Sequence, residues 1–173
     1  MKTIDRYSWS DVDRLVRQLA RQIDKPFDVI VCILRGGAIP GVILANELGI
    51  DTVIGLKIVQ QGQTSAATAD LVPYRGLEAI VTVPLNPVSL RDKRVLLVDD
   101  VLDSGETALA ALREIRELGP STVEFATMQV KTYSSFKPHF FVEERENWLF
   151  YPWMSEREFE QMTARLATRS ERA

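Results

Sequence analysis

Arg94-Val95-Leu96-Leu97-Val98-Asp99-Asp100-Val101-Leu102-Asp103-Ser104-Gly105-Glu106-Thr107 is the stretch on which the reading of this chain turns. Four apolar residues, Val95 to Val98, have the character of a strand covered on both faces. Two adjacent carboxylates follow, then a polar turn with a glycine, then a helical pattern over residues 106–118 that Gly119-Pro120 stops. Strand, turn and helix in that order make one unit of an α/β sheet. Each part has a chemical use. A carboxylate pair accepts hydrogen bonds from two neighbouring hydroxyls, as on a sugar. The N–H groups at a helix start suit a phosphate. A plainer reading also exists, in which Asp103 and Glu106 form a D-x-x-E capping box and Asp99 and Asp100 are solvated turn residues. The apolar run, three acids and Ser-Gly-x-Thr turn, all in order, favour a site for a ribose 5-phosphate.

The flanking segments repeat the same alternation. Residues 11–23 carry apolar side chains at helical spacing (Val12, Leu15, Val16, Leu19, Ile23), with Ser10 and Asp13 as the cap signal. Residues 28–34 form a short apolar run, broken by Arg35-Gly36-Gly37, and a helix is expected from about Pro40 to Leu48, closed by Gly49. Residues 52–59 are β-rich. Residues 60–70 are small and polar without periodicity, and residues 79–83 resume a strand pattern. Residues 122–130 read as another strand. Residues 140–142 and 148–151 are short apolar pieces, and Ser155-x-x-Glu158 opens a polar C-terminal helix. Strands alternating with helices predict an α/β fold with a doubly wound, mainly parallel sheet flanked by helices. Ligands bind such sheets beyond the C-terminal strand ends. Arg35, Asp99, Asp100 and Lys131 are all expected just past such ends, so they can converge.

The bulk numbers narrow the function. A chain of 173 residues is expected to form one domain over 1–173. A net charge of −3 leaves no basic footprint for nucleic acid. No apolar run is long enough to span a bilayer, and the N-terminus lacks a signal-peptide core. Cys32, the single cysteine, sits in an apolar run and reads as a small core residue. These features point to the cytoplasm.

The string VLLVDDVLDSGET resembles the phosphoribosyl-pyrophosphate (PRPP) binding motif of the type I phosphoribosyltransferases. Ile33-Leu34-Arg35-Gly36-Gly37 is similar to that family's pyrophosphate loop, and Lys131 follows a strand as in its purine branch. The likeness covers roughly residues 28–153. It implies the type I phosphoribosyltransferase fold with a small hood, and a mobile cover over the site at residues 60–70. By the same resemblance Asp99 and Asp100 hold the ribose hydroxyls and help a Mg²⁺ ion. Ser104, Gly105, Glu106 and Thr107 cradle the 5-phosphate. Leu34, Arg35, Gly36 and Gly37 meet the pyrophosphate, with the bond between Leu34 and Arg35 cis.

Asp103 would be the acid/base partner of purine N7. Lys131 would donate to an exocyclic O6, because an ammonium has donors only and so matches an oxo rather than an amino group. Trp148 would stack on the base and Leu149 would offer backbone contacts. The implied reaction is transfer of the 5-phosphoribosyl group from PRPP to a 6-oxopurine, with Mg²⁺ as cofactor and PRPP and a purine as partners. A homodimer or higher homo-oligomer is the family default. Two departures stand against the pattern. Glu106 occupies a place where relatives have small or basic residues, and Met154-Ser155, followed by Glu156, replaces the acid that meets guanine's 2-substituent. Two alternatives stay open: another base (orotate, uracil or adenine), or a non-catalytic PRPP-sensing regulator that binds nucleic acid with this fold. His139 reads as an ordinary loop residue.

Overall fold

Residues 94–102 do form the centre of the sheet. The computed structural model of the protein describes residues 3–60, 79–83 and 90–170. Along the chain run β1 (Ile4–Arg6), α1 (Trp9–Ala20), β2 (Val29–Ile33), α2 (Ala38–Leu48), β3 (Val53–Gln60) and β4 (Ala79–Val83). Then come β5 (Arg94–Leu102), α3 (Glu106–Glu117), β6 (Thr122–Lys131), β7 (Phe140–Arg145), β8 (Trp148–Phe150) and α4 (Glu156–Ser170). Among the described residues the main sheet has six strands in the order β4-β3-β2-β5-β6-β7. All its pairings are parallel except β3 with β4 at one edge. β1 and β8 form a separate parallel pair.

Burial explains the layering. β2 is buried at every residue, as its unbroken apolar run requires. One face packs Leu96 and Val98 with Val12, Leu15, Leu19 and Leu44 of α1 and α2. The other packs Val95 and Leu97 with Ala111, Leu112 and Ile115 of α3. This is the doubly wound, mainly parallel arrangement expected. The chain runs from β2 outward to β3 in one direction and from β5 outward to β6 and β7 in the other. The strand order therefore reverses between β2 and β5, and a ligand crevice belongs at their C-terminal ends. At the opposite ends Asp28 clamps the same two strands. Its carboxylate accepts from the Arg94 backbone N–H (2.8 Å), Nε (3.0 Å) and Nη2 (2.6 Å).

Several boundaries differ from the sequence expectation. Helix α1 starts at Trp9, capped by Ser8 and Asp11 rather than Ser10 and Asp13, because the Ser8 hydroxyl and the Asp11 carboxylate bond each other's backbone. β5 does not stop at Val98. It pairs with β6 through Leu102, so Asp99 and Asp100 lie within the strand and Lys131 is the last residue of β6. The reason is a slip in side-chain alternation. Leu96 and Val98 face α1 and α2, yet Val101 joins that side and Leu102 the other, the reverse of a strict period of two. β6 slips at the same level, where Met128 and Val130 face opposite sides. Two polar residues at such a slip look like a strand end in sequence.

β1 is an unforeseen strand. His139 is not an ordinary loop residue. Its Nδ1 accepts from the Phe125 N–H (3.0 Å) while its own N–H donates to the Phe125 carbonyl (2.9 Å), which pins the helix-free crossover from β6 to β7. The Ser155 and Glu158 cap on α4 forms as expected. Cys32 is buried in the core, and burial, with the charge of Asp99, pushes its thiol up to about 12. No helix among the described residues is long and apolar enough to cross a membrane. Residues 61–78, which include most of the expected cover at 60–70, lie outside the described residues.

Candidate active site

Three loops meet at the crevice between β2 and β5. The first follows β2. The peptide bond between Leu34 and Arg35 is cis. The turn closes through Gly37 N–H to Ile33 O (2.9 Å), and α2 begins at once. Arg35 is exposed. Both glycines are forced by what lies beneath them. A Cβ on Gly36 would overlap the Asp100 carboxylate, and one on Gly37 would meet the Val98 carbonyl and, at 2.9 Å, Asp99 Cα. The glycine pair thus seats this loop directly on the acidic pair.

That acidic pair is half-buried and internally braced. Asp99 Oδ1 accepts the Asp100 N–H (2.9 Å), and Asp100 Oδ1 accepts the Val101 N–H (2.8 Å). Burial and then the neighbouring Asp100 charge hold the Asp99 carboxyl well above the ordinary carboxylate range. Beside the pair lies a part-buried polar chain that the sequence did not announce. The Tyr151 hydroxyl donates to Gln129 Oε1 (2.6 Å), and Arg145 pairs with Glu143 (2.8 Å) and donates to the Tyr7 hydroxyl (3.2 Å). This chain joins the ends of β1 and β8 to β6 and β7. Burial first, and Asp100 next, raise the Tyr151 phenol well above its usual value, so it stays a neutral donor.

The second loop is the turn from β5 into α3. Gly105 is the N-cap at φ 100°, the left-handed region that glycine enters freely. A Cβ there would strike Ser135 Oγ and approach Phe136 at 3.0 Å, so glycine serves the backbone turn and the packing of the next loop. The D-x-x-E capping box does not form: the N-cap is Gly105, which has no side chain to cap with, and the Glu106 N–H donates to Ser104 Oγ at a long 3.5 Å. The first N–H groups of α3, from Glu106 and Thr107 onward, lack intrahelical acceptors, as at any helix start.

The third loop, residues 132–139, crosses over this turn. Ser135 N–H donates to the Ser104 carbonyl (3.1 Å), and the Tyr133 hydroxyl donates to Asp103 Oδ1 (2.6 Å). Lys131, at its start, is buried to 6 % exposure, and its Nζ donates to the Asn147 carbonyl. Asn147 is tied to the N-terminal strand: its Oδ1 accepts from Thr3 N–H (3.2 Å) and its Nδ2 donates to Asp5 (3.0 Å). Trp148 follows, half-buried, and Leu149 is buried. The Trp148 N–H donates to the Thr3 carbonyl and the Phe150 carbonyl accepts from the Tyr7 N–H, at the two ends of β1, so the Leu149 amide and carbonyl point the opposite way. Lys131 and the segment from Asn147 to Leu149 are thus joined into one wall. Glu156 is not part of it. It lies in the first turn of α4 and pairs with Arg6 (3.4 Å), with both side chains largely exposed.

A glycine loop thus sits over paired carboxylates, beside the start of α3. The signature of the family described as "Phosphoribosyl transferase domain" matches residues 4–149. The chain belongs to the phosphoribosyltransferase family. Among its relatives, a xanthine-guanine phosphoribosyltransferase from Gluconobacter oxydans is 32% identical, with 84% of this chain and 82% of that protein covered. One of the same name from Nitratidesulfovibrio vulgaris is 31% identical, covering 90% and 91%. The crystal structure of a purine phosphoribosyltransferase from Pyrococcus horikoshii superposes with a TM-score of 0.76 at 31% identity, covering 88% of this chain and 95% of that one. Within this phosphoribosyltransferase the residues missed by sequence reasoning are Tyr133, Asn147, Gln129 and Tyr151. Only Asn147 left a trace, as the polar residue just before Trp148.

Proposed function

We propose that the protein transfers the 5-phosphoribosyl group of PRPP to a 6-oxopurine and releases pyrophosphate. The observation that carries this reading is the convergence of the Asp99–Asp100 pair, the Ser104–Thr107 turn and the buried Lys131 at the C-terminal ends of β5 and β6. The names of the relatives from Gluconobacter, Nitratidesulfovibrio and Pyrococcus, all purine or oxopurine enzymes, support the same substrate class.

The residues divide the work as follows. Asp99 and Asp100 accept hydrogen bonds from the ribose 2- and 3-hydroxyls and orient the ring. Ser104, Gly105, Glu106 and Thr107 receive the 5-phosphate on backbone N–H groups and two hydroxyls. Leu34, Arg35, Gly36 and Gly37 hold the departing diphosphate, chiefly through amides, with the Arg35 guanidinium adding charge. Lys131 donates to O6, Trp148 covers the base plane, and the outward amide and carbonyl of Leu149 meet the base edge. Asp103 accepts the N7 proton as N9 becomes bonded to C1. Positioning and fixed electrostatics supply most of the acceleration.

The residues also fit a Mg²⁺ ion. Asp99 and Asp100 are adjacent carboxylates whose mutual repulsion a cation relieves, and no cluster of three or more metal-ligating side chains exists among the described residues. Mg²⁺ characteristically binds through one or two carboxylates with substrate oxygens rather than in an all-protein cage. When bound with PRPP, it neutralises charge on the leaving diphosphate. The same reading puts the protein in the cytoplasm, as a homodimer or higher homo-oligomer acting on small molecules, in keeping with its net charge of −3 and single buried cysteine.

The test is a nucleobase panel with PRPP and Mg²⁺, scored for nucleotide formation. Hypoxanthine, guanine or xanthine should be converted and adenine and orotate left. Turnover of adenine or orotate with none of the oxopurines consumed defeats the proposal.

A further inference from the structure

We infer that Tyr133 is a positioning residue: its hydroxyl fixes the Asp103 carboxylate in the orientation that serves the purine. This rests on the reading of Asp103 given above. The geometry begins with what does not hold Asp103. It follows directly after β5 ends at Leu102, it makes no cap to α3, and so its side chain has no backbone brace from the helix it precedes. The Tyr133 hydroxyl supplies the brace instead, at 2.6 Å from Oδ1. A carboxylate has two oxygens, so one bond from Tyr133 leaves Oδ2 for an N7–H.

The placement of Tyr133 is itself over-determined. It lies two residues beyond Lys131, and the turn after it is closed by Ser134 N–H to the Lys131 carbonyl (2.9 Å). Next, Ser135 bonds the Ser104 carbonyl (3.1 Å) and packs over Gly105. The crossover loop and the phosphate turn are one bonded unit. Through it the side chain expected to read O6 and the one expected to serve N7 are held at a set separation. Tyr133 is 47% exposed, so its ring is no core element, and removing only the oxygen spares the packing.

Tyr133→Phe, Asp103→Asn and the double variant test this, with oxopurine turnover, PRPP affinity by calorimetry and melting temperature measured for each. A displaced catalytic group costs up to about a hundredfold. Tyr133→Phe should therefore lower kcat about ten- to a hundredfold, with PRPP affinity and melting temperature at wild-type values. In the Asp103→Asn background the same change should cost little further, since groups acting through one another are not additive. Wild-type kcat in Tyr133→Phe, or full additivity in the double variant, overturns the inference while leaving the reading of Asp103 intact. Unimpaired turnover in Asp103→Asn overturns both.

Discussion

On the proposed function, substrate class depends on Lys131. A lysine buried to 6 % exposure at a strand end is unusual, because a desolvated ammonium is costly unless it is bonded. The Asn147 carbonyl accepts from it, and an ammonium carries three donors. A purine O6 matches such a group, which donates and never accepts. Lys131→Met keeps the buried stem and removes the donors. The half-saturating concentration of the oxopurine should rise about ten- to a hundredfold, the worth of a charge-assisted hydrogen bond of about 1.5–3 kcal/mol. PRPP affinity should hold. The variant should also discriminate less between 6-oxo and 6-amino purines, and steady-state kinetics with hypoxanthine and adenine decide it. An unchanged base preference would remove Lys131 from the site.

Legibility in the sequence differs sharply between elements. Residues 94–107 announced a strand, a turn and a helix, and the turn from β5 into α3 could be placed because glycine and hydroxyl residues mark it locally. The extent of β5 could not be read, since polar residues at a slip in alternation imitate a strand end, and only pairing with β6 reveals the continuation. β1 was hidden for the opposite reason. Three residues carry no period, and Ile4–Arg6 is a strand only because β8 lies beside it. Tyr133 and Gln129 gained their roles from partners 30 and 22 residues away, Asp103 and Tyr151, which no local pattern encodes.

Arg35-Gly36-Gly37 was legible as a loop, but the seating of Gly36 on Asp100 was not. That seating makes the loop and the acidic strand one device. Gly36→Ala should force the Asp100 carboxylate off its bond to Val101, costing about 1–3 kcal/mol of stability as overpacking. It should also depress PRPP affinity by at least about tenfold. Thermal melts and PRPP calorimetry read the two effects. Undisturbed PRPP binding would separate the loop from the acidic pair.

At the scale of the molecule the two ends of the central strands have different duties. The C-terminal ends of β2, β5 and β6, with Trp148 and Leu149 of β8 beside them, carry the residues proposed for chemistry. The N-terminal ends of β2 and β5 carry the Asp28–Arg94 clamp, which sets the register of the two strands flanking the crevice. Hydrogen bonds from the Arg94 side chain, then from its backbone N–H, hold the Asp28 carboxyl well below the ordinary carboxylate range. A carboxyl whose folded pKa is depressed binds fewer protons folded than unfolded between the two values, so stability falls as pH drops through that window. The clamp is therefore fully effective above the ordinary carboxylate range and is lost in acid. Asp28→Asn should melt a few degrees lower than wild type at pH 7, and the gap should narrow steadily as pH is lowered below about 4. Below its melting range the variant should keep the wild-type half-saturating concentrations for PRPP and purine, because nothing at the crevice end has changed. A gap in melting temperature that persists undiminished in acid would mean that Asp28 acts through shape rather than charge. Altered PRPP saturation would mean that the register of β2 against β5 is set from both ends.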